Sequence, residues 1–268
     1  MQRLVNKHNE GVLTGKSLLF GGSPLRTEAT GYGLVYMAKL AAERRLNKTL
    51  EGARCAVSGS GNVAQYTAHK LLQFGAKVIT MSDSNGVLVF ENGMTMDDWD
   101  VIIHAKQVDR ARLSELQGIV TGKYIAKGTP WSIDASYDYA LPCATQNEID
   151  GEGAKRLIQR GCKGVFEGAN LPTSAEAQEV LRTSNILYIP GKASNAGGVA
   201  TSGFEMSQNA QFLQWTNEEV DLKLKSLMEN IYNQMENAVA DGGSLEEGAN
   251  RAGFLKVVQA MEQLGWIW

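Results

Sequence analysis

"CAVSGSGNVAQY", residues 55–66, decides the fold of this chain. Three small apolar residues and Ser58 run into Gly59-Ser60-Gly61, and Asn62 opens a stretch of helical character. The pattern is G-x-G-x-x-A. The first glycine permits a tight turn, the second lets backbone approach a pyrophosphate, and Ala64 keeps the following helix close to the strand. The helix start offers unpaired N–H groups and the positive end of the helix dipole to phosphates. Alone, such a pattern is weak. Its surroundings strengthen it: a strand at Arg54–Ser58, a helix at Val63–Phe74 and a second strand at Lys77–Ser82. Asp83 follows, 22 residues after Gly61, near the distance at which an acid reaches a ribose. The stretch reads as the βαβ unit of a dinucleotide-binding domain.

Working outward, a long helix is expected from about Glu28 to Leu46, with Leu34, Met37, Leu40 and Ala41 as its buried stripe. Thr95 starts another, running through Trp99, Ile102 and Ile103. Ile119-Val120, Tyr139–Leu141, Gly164–Phe166 and Ile186–Ile189 are short strand candidates with helical stretches between several of them. Strands alternating with helices imply an α/β fold: a doubly wound, mostly parallel, Rossmann-like sheet with helices on both faces. The C-terminal region is helical, with Val220, Leu224, Leu227, Ile231, Met235 and Val239 as one apolar stripe. Four S/T-x-x-E pairs read as helix-starting boxes: Thr173 with Glu176, Ser202 with Glu205, Thr216 with Glu219, and Ser244 with Glu247. The expected organisation is an irregular lead-in over 1–26, the dinucleotide-binding domain over 27–210, and helices packing on the same domain over 211–268.

The 268 residues suffice for a sizeable core, and 43% hydrophobic with 21% charged residues is ordinary globular composition. A net charge of −3 without charge blocks argues against nucleic acid as a partner, and no apolar run is long enough to span a membrane. Met1–Gly22 has no signal-peptide core. Cys55, Cys143 and Cys162 are odd in number and lack metal spacing. Reduced thiols in the cytoplasm and no metal site are therefore expected.

The residues themselves leave the nicotinamide cofactor open. Asp83 suits the 2′-hydroxyl of NAD and would repel the 2′-phosphate of NADP. Ser84 follows it, however, and Lys106 and Arg110 on the next helical stretch would favour NADP, so by spacing the two stand level. A catalytic group is harder to find. His8, His69 and His104 have no catalytic context, and Asp97, Asp98 and Asp100 suit a helix's first turn better than a reaction. "GKASNAGGVATSGFE", residues 191–205, reads as a loop between strand and helix on the crevice side of the sheet. Ser202 there suits either a substrate carboxylate or a plain N-cap. "LPCATQNEI", residues 141–149, is a second polar segment that could line the crevice.

Taken together, "RTEATGYG" (26–33), "SGSGNVAQY" (58–66), "LPCATQNE" (141–148), "EGAN" (167–170) and "GKASNAGGVATSGFEMSQN" (191–209) resemble glutamate dehydrogenase, the hexameric NADP-linked type above all. The likeness runs in order from about Leu13 to Gly253. Leucine, phenylalanine and valine dehydrogenases are relatives that these segments resemble less. The resemblance implies reversible oxidative deamination of L-glutamate to 2-oxoglutarate and ammonia, with NADP as cofactor and NAD less suited. It implies that Thr30, Asn62 and Asn195 contact the nicotinamide end, and that Gly59, Gly61 and Val63 lie by the pyrophosphate. Ser84 with Lys106 would answer the 2′-phosphate, with Asp83 beside them although electrostatics alone argues the reverse. Val199 and Ser202 would touch the glutamate side chain. The full-length enzyme is expected to be a homo-hexamer.

Members of that family carry a substrate domain before the TGYG helix, with the catalytic lysine, the lysines that bind the α-carboxylate and an essential aspartate. This chain matches only the portion after it, and Lys192 does not match the catalytic lysine. The expectation is thus a cofactor seat with one wall of the substrate site, no catalytic residue of its own, and little or no activity alone. A stand-alone NAD(P)-binding module, or a non-catalytic subunit that joins an intact enzyme, is the alternative.

Overall fold

The strand entering the glycine turn lies at the centre of a seven-stranded sheet. Its strands are β1 (Arg54–Val57), β2 (Lys77–Asp83), β3 (Gly86–Val89), β4 (Lys123–Ala126), β5 (Tyr139–Leu141), β6 (Gly164–Phe166) and β7 (Leu187–Ile189), in the order β4-β3-β2-β1-β5-β6-β7. The computed structural model describes residue 11 and residues 13–265. Strands β2, β1, β5, β6 and β7 are parallel, whereas β3 and β4 add an antiparallel edge. The chain leaves β1 for β2 on one side and returns to β5 on the other. That reversal opens a crevice at the carboxyl end of β1.

Both faces are covered, and consecutive strand residues show it. Cys55, Val57, Val78, Phe166 and Ile189 enter one core cluster, while Ala56, Ile79, Val165 and Tyr188 enter the other. A period of two sends neighbouring side chains to opposite faces. The first cluster is completed by α1 (Ala29–Leu46), α2 (Asn62–Gln73) and the long helix α8 (Asn217–Asn237); the second by α4 (Gly151–Gln159) and α5 (Ala175–Arg182). Between them in the chain come α3 (Met96–His104), the short α6 (Gly191–Ser194) and α7 (Gly197–Gln211), and α9 (Leu245–Gln263) follows α8. No described helix is long and apolar enough to cross a membrane.

Several sequence expectations need correction. Ile119-Val120 is no strand: Val120 is buried in a turn and makes one isolated bridge to Gln117, while Ile119 is exposed. The antiparallel strands β3 and β4 were not expected. Thr173 does not start α5; the neighbouring Ser174 does, accepting from the Ala177 N–H. Ser202 and Glu205 form no box either, because α7 already starts at Gly197. Thr95, Thr216 and Ser244 do cap their helices, and Asp98 closes the Thr95 box. In α8 the buried row runs Val220, Leu224, Met228, Tyr232 and Met235, so Leu227 and Ile231 flank it, and Val239 lies beyond the helix end. His8 lies outside the described residues.

The stretch over residues 13–26 is laid along α7. Thr14 Oγ1 donates to Ser202 Oγ (3.2 Å), Asn209 Nδ2 to Gly21 O (2.6 Å) and Gln208 Nε2 to Ser23 Oγ (2.8 Å). Glu205, fully buried, accepts from Lys16 Nζ (2.6 Å) and from the Gly15 N–H (2.8 Å). Burial opposes its charge, but these donors outweigh it and hold the carboxyl below its ordinary range.

Candidate functional site

The glycine turn is fixed from both neighbouring strands. Gly59 N–H donates to Ser82 Oγ (2.9 Å), Ser82 N–H returns to Gly59 O (3.1 Å), and Cys143 N–H donates to Ser58 Oγ (2.8 Å). Gly59 has φ +86°, and a Cβ there would stand 3.0 Å from Cys143 O. Gly61 is different. Its φ of −82° and ψ of −176° suit any residue, and a Cβ would meet nothing within 4 Å. Among the described residues nothing requires a glycine at 61; what lies outside, above the first turn of α2, can.

Two clefts open along the carboxyl ends of the strands, on either side of Cys143–Thr145, which line both. The first, of about 660 Å³, is lined by Thr30, Val63, Asn195, Val199 and Ser202, five residues brought together from three separate motifs. The second, of about 480 Å³, holds Gly59, Gly61, Asp83, Ser84 and Lys106. Asn62, the first residue of α2, is exposed at the helix start and lines neither.

The first cleft is shaped by a close helix crossing. A Cβ on Gly197 would lie 2.2 Å from Ala29 O, and one on Gly198 2.4 Å from Thr30 Oγ1. The glycine pair lets α7 rest on α1, which sets Thr30 beside Val199 and Ser202. What read as a loop is therefore mostly helix, and Ser202 is free of capping duty. Its hydroxyl instead accepts from Arg26 Nε (2.9 Å) and from Thr14. Arg26 also lines the cleft, and the sequence reading passed over both it and Thr14. Asn195 Nδ2 donates to Asn170 Oδ1 (2.8 Å), and buried Glu167 fixes the start of α6 by accepting from the Gly191 N–H (2.7 Å) and Tyr188 OH (2.8 Å). Among the described residues lining this cleft there is no His, Lys, Asp or Glu, and burial pushes the Cys143 thiol far up, keeping it protonated.

The second cleft is cationic at its outer end. Lys106, Arg112 and Lys127 line it beside Ser84, and Arg112 Nη1 donates to Ser84 Oγ (2.9 Å). Arg110, weighed from sequence as a cation here, instead closes the preceding turn at φ +56° and is not among the lining residues. Asp83 spends both oxygens on backbone, accepting from Asn85 N–H and Leu113 N–H, each at 2.9 Å. Glu148 accepts from Trp131 Nε1 (3.0 Å) and Ala144 N–H (3.0 Å), and burial raises its pKa despite these bonds. The remaining histidines are structural or superficial: His69 stacks on Trp99 and meets Tyr32 OH (2.7 Å), while His104 faces solvent beside Asp109.

A glycine turn at the sheet's switch point, with clefts on either side, defines a dinucleotide-binding α/β domain. The chain belongs to the Glutamate/Leucine/Phenylalanine/Valine dehydrogenase family, whose model matches residues 21–265. It is 49% identical over 259 residues to the NAD(P)-specific glutamate dehydrogenase of Xylanibacter ruminicola, covering 96% of this chain and 58% of that protein. To the NADP-specific glutamate dehydrogenase of Escherichia coli it is 46% identical over 272 residues, covering 100% of this chain and 60% of that protein. Among solved structures, Plasmodium falciparum glutamate dehydrogenase 2 superposes with a TM-score of 0.93 at 48% identity, over 99% of this chain and 58% of that one. The chain thus spans 58–60% of the length of these relatives.

Proposed function

We propose that this chain is the nucleotide-binding domain of an NADP-linked glutamate dehydrogenase and that it seats the cofactor without completing the reaction. Gly61 carries the reading: its conformation and its surroundings inside the protein give no reason for a glycine, whereas a pyrophosphate approaching the start of α2 does. Gly59, Gly61 and Val63 would hold the pyrophosphate, and Thr30, Asn62 and Asn195 the nicotinamide end. Ser84, Lys106 and Arg112 would take the 2′-phosphate, a site where Arg offers paired donors to oxygen. When bound, the nicotinamide ring supplies or accepts a hydride.

Among the amino acids the family's name covers, glutamate fits the first cleft best. A leucine, valine or phenylalanine side chain would want apolar walls, but Arg26 and Ser202 place a cation and a hydroxyl there, with Thr14 donating to Ser202 from behind. These suit the side-chain carboxylate of glutamate or 2-oxoglutarate, with Val199 against its methylenes. Lacking an acid–base group among its described lining residues, the cleft can bind and orient substrate but has nothing to move its proton. The full-length protein would add that group and assemble as a homo-hexamer.

The test is a titration of the purified chain with NADPH and with NADH, followed by nicotinamide fluorescence, with glutamate turnover read in the same cuvette. Tight NADPH binding without turnover is expected. Turnover by this chain would overturn the division of labour, and failure to bind either cofactor would overturn the reading itself.

A further inference from the structure

Gln65 is buried in α2, 2% exposed, and both ends of its side-chain amide are in use. Its Nε2 donates to Ser60 O (2.6 Å) inside the glycine turn, and its Oε1 accepts from Gln107 Nε2 (2.8 Å). Its backbone carbonyl accepts from Trp99 Nε1 (2.8 Å), which secures α3 to the same point. Gln107 is exposed and belongs to a π-helical turn over Ala105–Asp109 that also carries Lys106. Such a turn opens the helical ladder and persists where neighbours hold it. Here Arg110 and Ala111 N–H both close onto Ala105 O, and Lys106 Nζ bends back to Ala111 O (2.8 Å). Gln107 anchors this turn to α2.

We propose that Gln65 is a positioning residue that sets the preference for a 2′-phosphorylated dinucleotide. It ties the turn that meets the pyrophosphate to the turn that presents Lys106, so that two phosphate groups of one ligand are read at a fixed separation. This rests on the cofactor reading above. The physical gain is preorganisation: a lysine held by its backbone turn loses less freedom on binding than one on a loose turn. A merely structural Gln65 would affect stability, and both cofactors alike.

Two variants of the chain, Gln107→Ala and Gln65→Met, separate these cases when Kd is measured for NADPH and NADH. Gln107 is exposed, so its loss leaves the fold intact. It is expected to weaken NADPH about tenfold while NADH stays within about twofold. Gln65→Met is expected to weaken both, NADPH more, because the glycine turn loses its tether too. If Gln107→Ala leaves the NADPH-to-NADH ratio unchanged, or lowers both affinities equally, the positioning role is overturned. A wild-type chain with no preference for NADPH overturns the cofactor reading and this inference with it, so the two failures are distinguishable.

Discussion

Replacing Gly61 by alanine separates what the glycine turn does for the protein from what it does for a ligand. At φ −82° and ψ −176°, with nothing within 4 Å of the new Cβ, the methyl strains nothing. The unfolded chain loses freedom, so the folded state should gain about 0.4–1 kcal/mol, or roughly 1–4 °C in Tm for a domain of this size. Gly59→Ala is the contrast. There the left-handed backbone costs about 1–2 kcal/mol and crowding against Cys143 O and Ala144 Cα about 1–3 kcal/mol more, a fall of roughly 4–20 °C. For NADPH the order reverses. The Gly61→Ala methyl stands where the pyrophosphate would approach, and a misfit of about 1–3 kcal/mol weakens binding about 5- to 150-fold. Thermal melts and fluorescence titrations of the two variants read both quantities. A Gly61→Ala chain that binds NADPH like the wild type, or melts as low as Gly59→Ala, refutes the reasoning.

Other perturbations test the supports of the two clefts. Arg112→Ala should weaken NADPH about tenfold with little effect on NADH, by loss of a charged partner for the 2′-phosphate, and should flatten the salt dependence of NADPH binding. Glu205→Gln should cost about 2–4 kcal/mol at pH 7 in urea denaturation, since it breaks a buried ion pair with Lys16. The folded carboxyl lies below its ordinary value of 4.5, so its stabilisation is full above that pH and fades as pH falls through the folded value. The gap between wild type and variant should narrow in that acid window, and a gap that does not change with pH would count against the ion pair. Tyr36→Phe removes the bond to Asp221 Oδ1 (2.6 Å) that joins α1 to α8, and should lower stability by about 1–2 kcal/mol in the same assay.

What was legible in the sequence was local. The glycine turn, the strands either side of it and the Thr95, Thr216 and Ser244 caps depend on residues a few positions apart, and they read correctly. The same spacing misled at Ser202 and Glu205, because the Gly197-Gly198 pair packs against α1, a contact made far along the chain, and the helix starts there. Strands β3 and β4 escaped notice for another reason. Each has four residues, and three of the four in Lys123–Ala126 are exposed, so no alternation marks the second. Arg26 and Thr14 could not be placed by pattern at all. They meet Ser202 across 176 and 188 residues, and only the laying of 13–26 along α7 brings them together.

Asp83 shows how a carboxylate read as a free charge in sequence can be engaged in the fold. A carboxylate at the end of β2 argues against a phosphate beside it, if it is taken as a free charge. In the fold it is not free. Its two oxygens accept from the backbone N–H groups of Asn85 and Leu113, which bends the chain after β2 and holds the segment beginning at Arg112 against it. Arg112 is thereby set next to Ser84, with Lys106 and Lys127 in the same cleft, and three cations face the two carboxylates of Asp83 and Glu148. The acid works as a clamp on the segment that brings a cation forward. Its charge is spread over short bonds to amides, while the guanidinium it helps to place remains beside the hydroxyl of Ser84. An aspartate in this setting is compatible with a phosphate-binding cleft because of what it holds.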